Sequence, residues 1–347
     1  MKFKEAVTYD DMLMVPQYSD IQSRSEVDIS SELGRGKVLE LPVIASPMDT
    51  VSEDRMAIAM NNAGGMAILH RYNTVEEQQA MAQRVVDRTD WNGNVAAAIG
   101  VTDDYMRRAE ALIAVGIDTL CVDVAHGHHL LMKEALKNLR EEYGKDIHIM
   151  AGNVCTLEGV NDLADWGADS IRCNIGGGSI CSTRMVTGHG LPGLQTIFDC
   201  ARTDRDVSII ADGGIRNSGD IVKALAAGAD FVMCGSILAG TTESPGKIIR
   251  LPDNNRVKEY RGMASTDAQL NWRNKSSTPE GVASYVPFKG SAVNILEDLE
   301  GGIRSGFSYT GARNLTELRH KVEWARQTSA GTHESSTHIF SQNGRKK

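Results

Sequence analysis

The sequence predicts an α/β protein built as a single (β/α)8 TIM barrel, with a mobile flap and a C-terminal extension. Three observations support this fold class: short apolar runs recur eight times, helical patterns separate them, and one Gly-x-Asp junction repeats. A length of 347 residues is ordinary for one such barrel with insertions. The alternative, a doubly wound open sheet, usually has fewer strands, so we predict one barrel domain over residues 1–347.

Eight apolar runs, each bounded by glycine or polar residues, are the predicted strands. Their near-continuous apolar character is typical of parallel strands that are buried on both faces. The runs lie at 42–47, 66–70, 95–100, 119–125, 148–153, 170–175, 208–214 and 231–236. Because eight strands alternate with helices, the pattern favours a closed barrel.

The segments between the runs carry helix start and stop signals. Thr156 is the predicted N-cap of a helix that ends at Gly167. Asn217 or Ser218 caps a second helix, which ends at Gly228. The junctions at 116–118, 167–169 and 228–230 each read Gly-x-Asp and lead into the next strand.

Three further segments bear on how the chain is divided into domains and loops. The segment 247–290 is polar, and we predict that it is irregular and contains a flap at about 262–290, because long loops in compact domains are usually lids or binding loops. The polar tail at 330–347 is predicted to be mobile. Only about 24 residues join Arg71 to Val95, so no further domain is inserted between the second and third strands.

Composition and charge exclude several functional classes. The net charge is −8, which argues against nucleic-acid binding. The chain has no apolar signal sequence and no run of 18 apolar residues, so we expect no membrane association. None of the six cysteines forms a C-x-x-C pair, which is typical of reduced thiols and predicts a cytoplasmic protein.

Glycines follow the seventh and eighth predicted strands, where barrels often hold phosphate. The seventh run ends in Asp212-Gly213-Gly214, and Gly235-Ser236 ends the eighth. Glycine lets backbone N–H groups approach phosphate oxygens closely. We therefore predict a phosphate site here, with tight turns alone as the alternative. Asp212 could accept hydrogen bonds from ribose hydroxyls.

The loop after the sixth predicted strand, residues 174–184, reads NIGGGSICSTR. Three consecutive glycines disfavour regular structure, so they predict a loop whose exposed carbonyls and amides suit a cation and a phosphate. Cys181 is a candidate nucleophile in this loop, and Arg184 or a helix N-terminus would favour its thiolate form. The alternative of a buried structural thiol does not fit a cysteine among Gly, Ser, Thr and Arg.

This loop resembles the active-site signature G-x-G-P-G-S-x-C-T-T-R of the IMP dehydrogenase/GMP reductase family. Further blocks that resemble the family lie in family order at 45–51, 123–128, 150–154, 210–215, 243–246, 260–263 and 301–305. The resemblance therefore covers nearly the whole chain. The loop departs from the signature at Asn174, where glycine is usual, at Gly177, which replaces proline, and at Ser182, which replaces the first threonine.

The resemblance implies a role for each residue of the predicted site. Cys181 would attack C2 of a purine nucleoside monophosphate and form a thioimidate, with Thr183 and Glu280 as the other catalytic residues. The implied substrate-binding residues are Ser179, Asp212, Gly213, Gly214, Gly235, Ser236, Tyr260, Gly262, Met263 and Ala264. The implied cofactor-binding residues are Asp123, Val124, Ala125, Ile175 and Gly176. Backbone carbonyls of Gly176, Gly178 and Cys181 would bind K+, and Met48 and Asn153 would form site walls.

The family contains two activities, and three features favour a reductase. An IMP dehydrogenase oxidises IMP to XMP with NAD, and family members use an Arg-Tyr pair on the flap to hydrolyse the thioimidate. Here the flap carries Arg273-Asn274 instead, and an amide cannot replace a phenol as an acid–base group. Glu280 and the segments 22–28 and 288–290 are similar to reductases. The regulatory CBS domains usual in dehydrogenases are absent.

Other segments are more similar to dehydrogenases, namely 70–78, the GSIC and YRGM motifs and the tail at 329–338. In dehydrogenases a Glu-Ser-His stretch of the neighbouring subunit completes the cation site, and here it reads Glu334-Ser335-Ser336. The favoured interpretation is GMP reductase, which converts GMP to IMP and ammonia with NADPH. The alternatives are an NAD-dependent IMP dehydrogenase and a nucleotide-binding barrel without turnover. The resemblance also implies a homotetramer.

Overall fold

The structure is a computed structural model that describes residues 3–89, 94–274 and 277–335. Three short strands, β1 (Met12–Met14), β2 (Ser31–Gly34) and β3 (Lys37–Leu39), precede a closed barrel of eight parallel strands. The barrel strands are β4 (Val43–Ala45), β5 (Met66–Leu69), β6 (Val95–Ile99), β7 (Thr119–Asp123), β8 (His148–Val154), β9 (Ser170–Cys173), β10 (Ser208–Asp212) and β11 (Phe231–Cys234). Strand β11 pairs with β4 and closes the barrel. Each predicted run contains one barrel strand, so the predicted TIM-barrel fold class is confirmed.

Helices follow the barrel strands in the order that the sequence predicts. They are α1 (Asp54–Asn62), α2 (Val75–Val86), α3 (Tyr105–Ala114), α4 (Leu130–Tyr143), α5 (Leu157–Asp165), α6 (Thr183–Thr187), α7 (Gly193–Cys200) and α8 (Ser218–Ala226). Thr156 Oγ1 accepts a hydrogen bond from Gly159 N at 3.1 Å and caps α5. Asn217 Oδ1 accepts one from Asp220 N at 2.9 Å, so Asn217 rather than Ser218 caps α8.

The repeated Gly-x-Asp junction has a physical explanation. Gly167 and Gly228 have φ of 116° and 115°, which is left-handed backbone that favours glycine. The aspartates that follow cap a neighbouring strand: Asp169 Oδ2 accepts Ile149 N, and Asp230 Oδ2 accepts Ile209 N, both at 2.7 Å. The junction therefore both ends a helix and fixes the start of a strand.

A separate set of apolar side chains fills the inside of the barrel, so the barrel is a packed core and not a pore. It comprises Ile44, Met66, Ile68, Ala96, Ala98, Cys121, Met150, Ile210, Phe231 and Met233, together with Leu33 and Leu39 of the β2–β3 hairpin. The hairpin lies against the N-terminal ends of the strands, where Ser208 Oγ donates to Glu32 O at 3.1 Å. Because this end is covered, a ligand must enter from the C-terminal ends of the strands.

The prediction that 247–290 is irregular was wrong. The segment forms an antiparallel sheet of β12 (Ile249–Arg250), β13 (Arg256–Arg261) and β14 (Ala283–Pro287), with helix α9 (Thr266–Arg273) between the last two strands. Strands β12 and β14 are largely exposed, and β13 buries only three of its six residues, so none of them carries the continuous apolar run of the barrel strands. Within the described residues, the predicted flap therefore consists of α9, the segments 262–265 and 277–282 on either side of it, and strand β14.

The chain ends with α10 (Ala292–Tyr309), α11 (Leu315–Lys321), β15 (Trp324–Arg326) and α12 (Ser329–Glu334). Strand β15 pairs with β1, and Thr332 Oγ1 donates to Asp10 O at 3.2 Å. The tail predicted to be mobile is therefore helical up to Glu334, whereas 336–347 lie outside the described residues. None of the described helices is long and apolar enough to cross a membrane.

Candidate active site

A cavity of about 250 Å³ opens at the C-terminal ends of the barrel strands. Its walls come from the strand exits and from the flap. Every residue predicted for catalysis, substrate binding, cofactor binding or the cation site lines it. Met48 and Asn153 also form part of its wall, as predicted. The structure thus brings residues from 123 to 280 together in one site, and their individual roles remain predictions.

Cys181, Thr183 and Glu280 form a continuous hydrogen-bonded chain. The Cys181 Sγ–H donates to Thr183 Oγ1 at 3.2 Å, and Thr183 Oγ1 donates to Glu280 Oε2 at 2.8 Å. A hydroxyl can donate and accept at once, whereas an ionised carboxylate only accepts. The arrangement can therefore move a proton from the thiol to the carboxylate and back.

Backbone hydrogen bonds fix Glu280 beside the thiol. Ser182 N donates to Glu280 O at 3.0 Å, and Glu280 N donates to Ala264 O at 3.0 Å. The next residue, Gly281, approaches Gly262 so closely that a Cβ on either would lie 3.3 Å from the other's Cα. The returning end of the flap is thus held between the cysteine loop and the 262–265 turn.

The three consecutive glycines, Gly176, Gly177 and Gly178, differ in what a side chain at each position would contact. Gly176 has φ of +76°, and a Cβ there would lie 2.5 Å from Arg184 Cγ. A Cβ on Gly177 would lie only 2.0 Å from Asn174 Nδ2. At Gly178 the nearest atom to an added Cβ is Cys181 Cβ at 3.5 Å, which is ordinary contact. Of the three, only Gly178 could carry a Cβ without a close approach to another side chain.

The prediction that Arg184 supports the thiolate needs correction. Its guanidinium donates to Ile175 O at 3.0 Å, to Asn174 Oδ1 at 3.1 Å and to Leu191 O. These donors are used to hold the loop carbonyls in place. Within the described residues, none of its hydrogen bonds reaches Cys181. The other predicted source, a helix, begins directly after the cysteine loop as the short α6.

Two departures from the family signature are coupled in space. Asn174 is buried and has φ of 141°, and its amide fills the volume that a side chain at Gly177 would need. Replacing Gly177 with alanine should therefore displace Asn174 and lower kcat/KM roughly 10²-fold, the cost of a small misplacement in an active site. Adding Asn174→Gly should recover most of this loss, because glycine also tolerates the positive φ. Steady-state kinetics of the single and double variants, with circular dichroism as a folding control, tests the coupling; a double variant no better than Gly177→Ala would contradict it.

The predicted phosphate glycines occupy turns that require glycine even without a ligand. Gly213 and Gly214 have φ of 79° and 77°. A Cβ on Gly235 would lie 3.0 Å from Tyr260 Oη and 3.2 Å from Met48 Sδ. The tight-turn explanation and the phosphate prediction are therefore compatible. Burial raises the pKa of Tyr260 to about 12, so its hydroxyl stays protonated and can donate a hydrogen bond.

Arg172 is a site residue that the sequence reasoning missed. Its Nη1 donates to Asp123 Oδ1 at 2.5 Å, and its Nη2 donates to Asp212 Oδ2 at 2.8 Å. Asn153 Nδ2 donates to the same Asp212 oxygen at 2.7 Å. The available signal was a charged residue inside an apolar strand, which is costly unless the charge is paired.

Two contacts that hold the flap were also missed. Trp272 of α9 packs edge-on against Tyr72, with ring centroids 5.2 Å apart, and the Arg71 guanidinium lies 5.6 Å from the Trp272 ring centroid. At the other end of the flap, Arg261 donates two hydrogen bonds to Asp49 Oδ2, one from Nε and one from Nη2. No local sequence signal could show these pairs, because each joins residues about 200 positions apart.

Comparisons with known proteins agree with this fold and site. The family model described as IMP dehydrogenase / GMP reductase domain matches residues 6–338. Inosine-5'-monophosphate dehydrogenase from Nitrosopumilus maritimus is 32% identical, covering 97% of this chain and 99% of that protein. GMP reductase from Leishmania donovani is also 32% identical, covering 97% of each. The crystal structure of a variant GMP reductase from Trypanosoma brucei in complex with guanosine 5'-monophosphate has a TM-score of 0.92 at 32% identity, covering 98% of this chain and 99% of that chain.

The absence of inserted regulatory domains does not identify the activity of this chain. The alignments with the N. maritimus and L. donovani proteins extend over 473 and 480 positions, more than the 347 residues of this chain. Both relatives therefore contain residues without a counterpart here. Since one is a dehydrogenase and the other a reductase, the shortness of this chain does not distinguish the two activities.

One family assignment follows from the closed barrel, the cysteine loop at the C-terminal ends of its strands and the family-model match over residues 6–338. The dehydrogenase and the two reductases named above are each 32% identical to this chain. Members of this family use NAD(P)H as their redox cofactor. The chain belongs to the IMP dehydrogenase/GMP reductase family of purine nucleotide oxidoreductases.

Proposed function

We propose that the chain is a GMP reductase, which converts GMP to IMP and ammonia with NADPH through a thioimidate on Cys181. The observation that carries this proposal is the hydrogen-bonded chain from Cys181 through Thr183 to Glu280. It connects a nucleophile to a carboxylate that can store and return one proton. The loss of an amino group as ammonia requires such a proton. The similar reductase structure in complex with guanosine 5'-monophosphate supports the choice of nucleotide.

In the first step the amino group leaves as ammonia. The thiol proton moves to Thr183 while the Thr183 proton moves to Glu280, so that Sγ becomes a thiolate. Sγ then forms a bond to C2 of GMP, and the C2–N bond to the amino group breaks. The leaving nitrogen takes the stored proton back from Glu280 and departs as NH3. The fixed position of Glu280 suits this role, since proton transfer depends on hydrogen-bond distance.

In the second step C2 is reduced. NADPH supplies a hydride to C2, the Sγ–C2 bond breaks, and IMP is released. The cysteine thiolate regains a proton from water through Thr183. Asp123, Val124, Ala125, Ile175 and Gly176 also line the cavity and would hold the nicotinamide dinucleotide.

The nucleotide subsite is assigned by chemistry. Gly214, Gly235 and Ser236 would present backbone N–H groups to the phosphate, as expected at the exits of the last two barrel strands. Asp212 would accept ribose hydroxyls, and Ser179, Gly213 and Tyr260 would complete this side of the subsite. Gly262, Met263 and Ala264 would contact the base, since the turn they form is bonded to Glu280.

Backbone carbonyl oxygens are the ligands that suit K+ at this site. The described residues contain no cluster of three His, Cys, Asp or Glu side chains that could hold a metal. Gly178 O accepts a hydrogen bond from Cys181 N at 3.0 Å and closes a turn over 178–181, with Gly176 two residues before it. The carbonyls of Gly176, Gly178 and Cys181 would be the K+ ligands. Bound K+ would hold this loop in shape. Glu334 and Ser335 lie in or next to α12, and Ser336 lies outside the described residues.

The alternative is IMP dehydrogenase, which the dehydrogenase relatives and the dehydrogenase-like segments favour. That reaction needs water to be activated at the thioimidate. The flap sequence 262–280 contains no tyrosine, so the Arg-Tyr pair is missing, and the side chain of Arg273 lies outside the described set. A barrel without turnover is disfavoured, because the complete proton relay is retained. Our proposal also includes a homotetramer in the cytoplasm.

Purified protein should oxidise NADPH in the presence of GMP and form little XMP from IMP and NAD. The dehydrogenase direction lacks general-base help worth about 10²–10⁴-fold, so we expect a rate ratio in that range. Absorbance of the reduced cofactor follows both reactions, and the Cys181→Ala protein measures the background. Steady XMP production with no NADPH-dependent loss of GMP would overturn the assignment and point to Arg273, or to a base outside the flap.

A further inference from the structure

A row of four alternating charges includes three residues that line the cavity. It runs from Arg71 through Asp123 and Arg172 to Asp212, on the exits of β5, β7, β9 and β10. Arg71 Nη2 donates to Asp123 O at 3.0 Å, and Arg71 Nε lies 3.7 Å from Asp123 Oδ2. The Arg172 side chain is only 7% exposed and lies between the two carboxylates. The row thus connects the proposed cofactor subsite at Asp123 with the proposed nucleotide subsite at Asp212.

Each carboxylate uses one oxygen for Arg172. Asp212 Oδ2 accepts Arg172 Nη2 at 2.8 Å, Arg172 Nε at 3.1 Å and Asn153 Nδ2 at 2.7 Å. Asp123 Oδ1 accepts Arg172 Nη1 at 2.5 Å. Among the described residues, no hydrogen-bond donor reaches Asp212 Oδ1 or Asp123 Oδ2. Both residues line the cavity. Asp212 Oδ1 is therefore available to a ligand, and Asp123 Oδ2, which has only the ion pair with Arg71 at 3.7 Å, can also accept a hydrogen bond from one.

The fold makes room for this arginine. Gly152 lies beside it on β8, and a Cβ at that position would be 2.5 Å from Arg172 Cβ. Burial lowers the pKa of the Arg172 guanidinium, but Asp212, Cys121 and Asp123 outweigh it and hold the pKa above its ordinary value. Arg172 is therefore a permanent cation. A planar guanidinium presents its donors in a rigid fork, which fixes the angle between two carboxylates as a lysine cannot.

We propose that Arg172 is a positioning residue that couples nucleotide binding to cofactor binding. This proposal rests on the proposed function, because it assigns Asp212 to the nucleotide and Asp123 to the cofactor. A nucleotide hydroxyl that donates to Asp212 Oδ1 would fix the orientation of Asp212, and the shared guanidinium would pass that orientation on to Asp123. The second ligand would then meet a carboxylate already oriented for it and bind more tightly. Coupling of this kind is reciprocal, so the cofactor must also tighten the nucleotide.

The test measures binding without turnover. GMP and NADP+ are a suitable pair, because oxidised cofactor has no hydride to give. Because Cys181 would react with GMP, every protein in this test also carries Cys181→Ala, and wild type here means that background. Calorimetry gives the Kd of GMP alone and with saturating NADP+ for this background and for Arg172→Lys made in it. We expect NADP+ to lower the wild-type Kd by about 5- to 150-fold, the usual range of coupling between sites, and to leave that of Arg172→Lys nearly unchanged.

The chain offers a matched control. Arg216 also bridges two carboxylates, those of Asp10 and Asp220, but it does not line the cavity. Arg216→Lys should retain the wild-type ratio of the two Kd values. If Arg172→Lys does not fold, Asp123→Asn should remove the ratio instead.

Two results would overturn the coupling proposal: a wild-type ratio near one, or an unchanged ratio in Arg172→Lys. These results can be distinguished from a failure of the reductase assignment. If the protein proves to be a dehydrogenase, IMP with NADH is the non-reacting pair, and the same loss of coupling in Arg172→Lys is expected.

Discussion

Replacing Cys181 with alanine will abolish turnover and leave nucleotide binding largely intact. The variant lacks the Sγ atom that bonds to C2, and removing a catalytic nucleophile typically lowers kcat on the order of 10⁶-fold. The proposed phosphate and ribose contacts lie on other loops, at Gly214, Gly235 and Asp212, so they should survive. NADPH oxidation measures the first effect, and calorimetric titration with GMP measures the second.

Cys155 provides a control for this variant. It is half-buried, lies one residue beyond β8, and does not line the cavity. Cys155→Ala should keep turnover close to that of the wild-type protein. Residual turnover of Cys181→Ala within about tenfold of wild type would exclude a covalent role for this thiol, since nucleophile removal has a far larger effect.

Replacing Glu280 with glutamine should slow the release of ammonia by about 10²–10⁴-fold, the usual contribution of general acid–base catalysis. The amide keeps the size of the side chain and can still accept from Thr183, but it cannot store a proton. Hydride transfer stores no proton on Glu280, because in that step the Cys181 thiol exchanges its proton with water through Thr183, so it should be affected much less. Ammonia release from GMP measures the first step, and a burst of reduced cofactor from IMP and NADP+ measures hydride transfer.

Glu297 on α10 is a suitable control, because it is exposed and lies outside the cavity. Glu297→Gln should leave both measurements near the wild-type values. Equal losses of ammonia release and hydride transfer in Glu280→Gln would show that Glu280 supports the loop rather than relaying a proton. The distances in the relay, 3.2 and 2.8 Å, make the selective loss the expected result.

Much of the fold follows from local patterns in the sequence. The barrel strands are buried on both faces, so each leaves an apolar run bounded by polar residues. Thr156 and Asn217 cap their helices through side-chain oxygens, and Gly167 and Gly228 are required by left-handed backbone. The 247–290 sheet could not be predicted in this way, because β12 and β14 are largely exposed and β13 is only half buried, so no continuous apolar run marks them.

The candidate site was predictable only in part. Residues in the cysteine loop and the glycine turns stand out because their composition is unusual. Arg172 was missed because it interrupts an apolar run by a single residue, and its importance depends on carboxylates about 40 and 50 positions away. The exclusion of a side chain at Gly177 by Asn174 also depends on three-dimensional contact. Sequence patterns locate single residues, whereas these pairs need the folded chain.

The central claim is that ammonia leaves GMP when Cys181 forms a thioimidate. Intact-mass spectrometry of the protein incubated with GMP and NADP+ tests it most directly, because no hydride is present to complete the reaction. We predict an adduct on Cys181 with the mass of GMP less ammonia, one ammonia released for each adduct, and neither product with Cys181→Ala. Absence of both adduct and ammonia, together with steady XMP formation from IMP and NAD, would contradict the account.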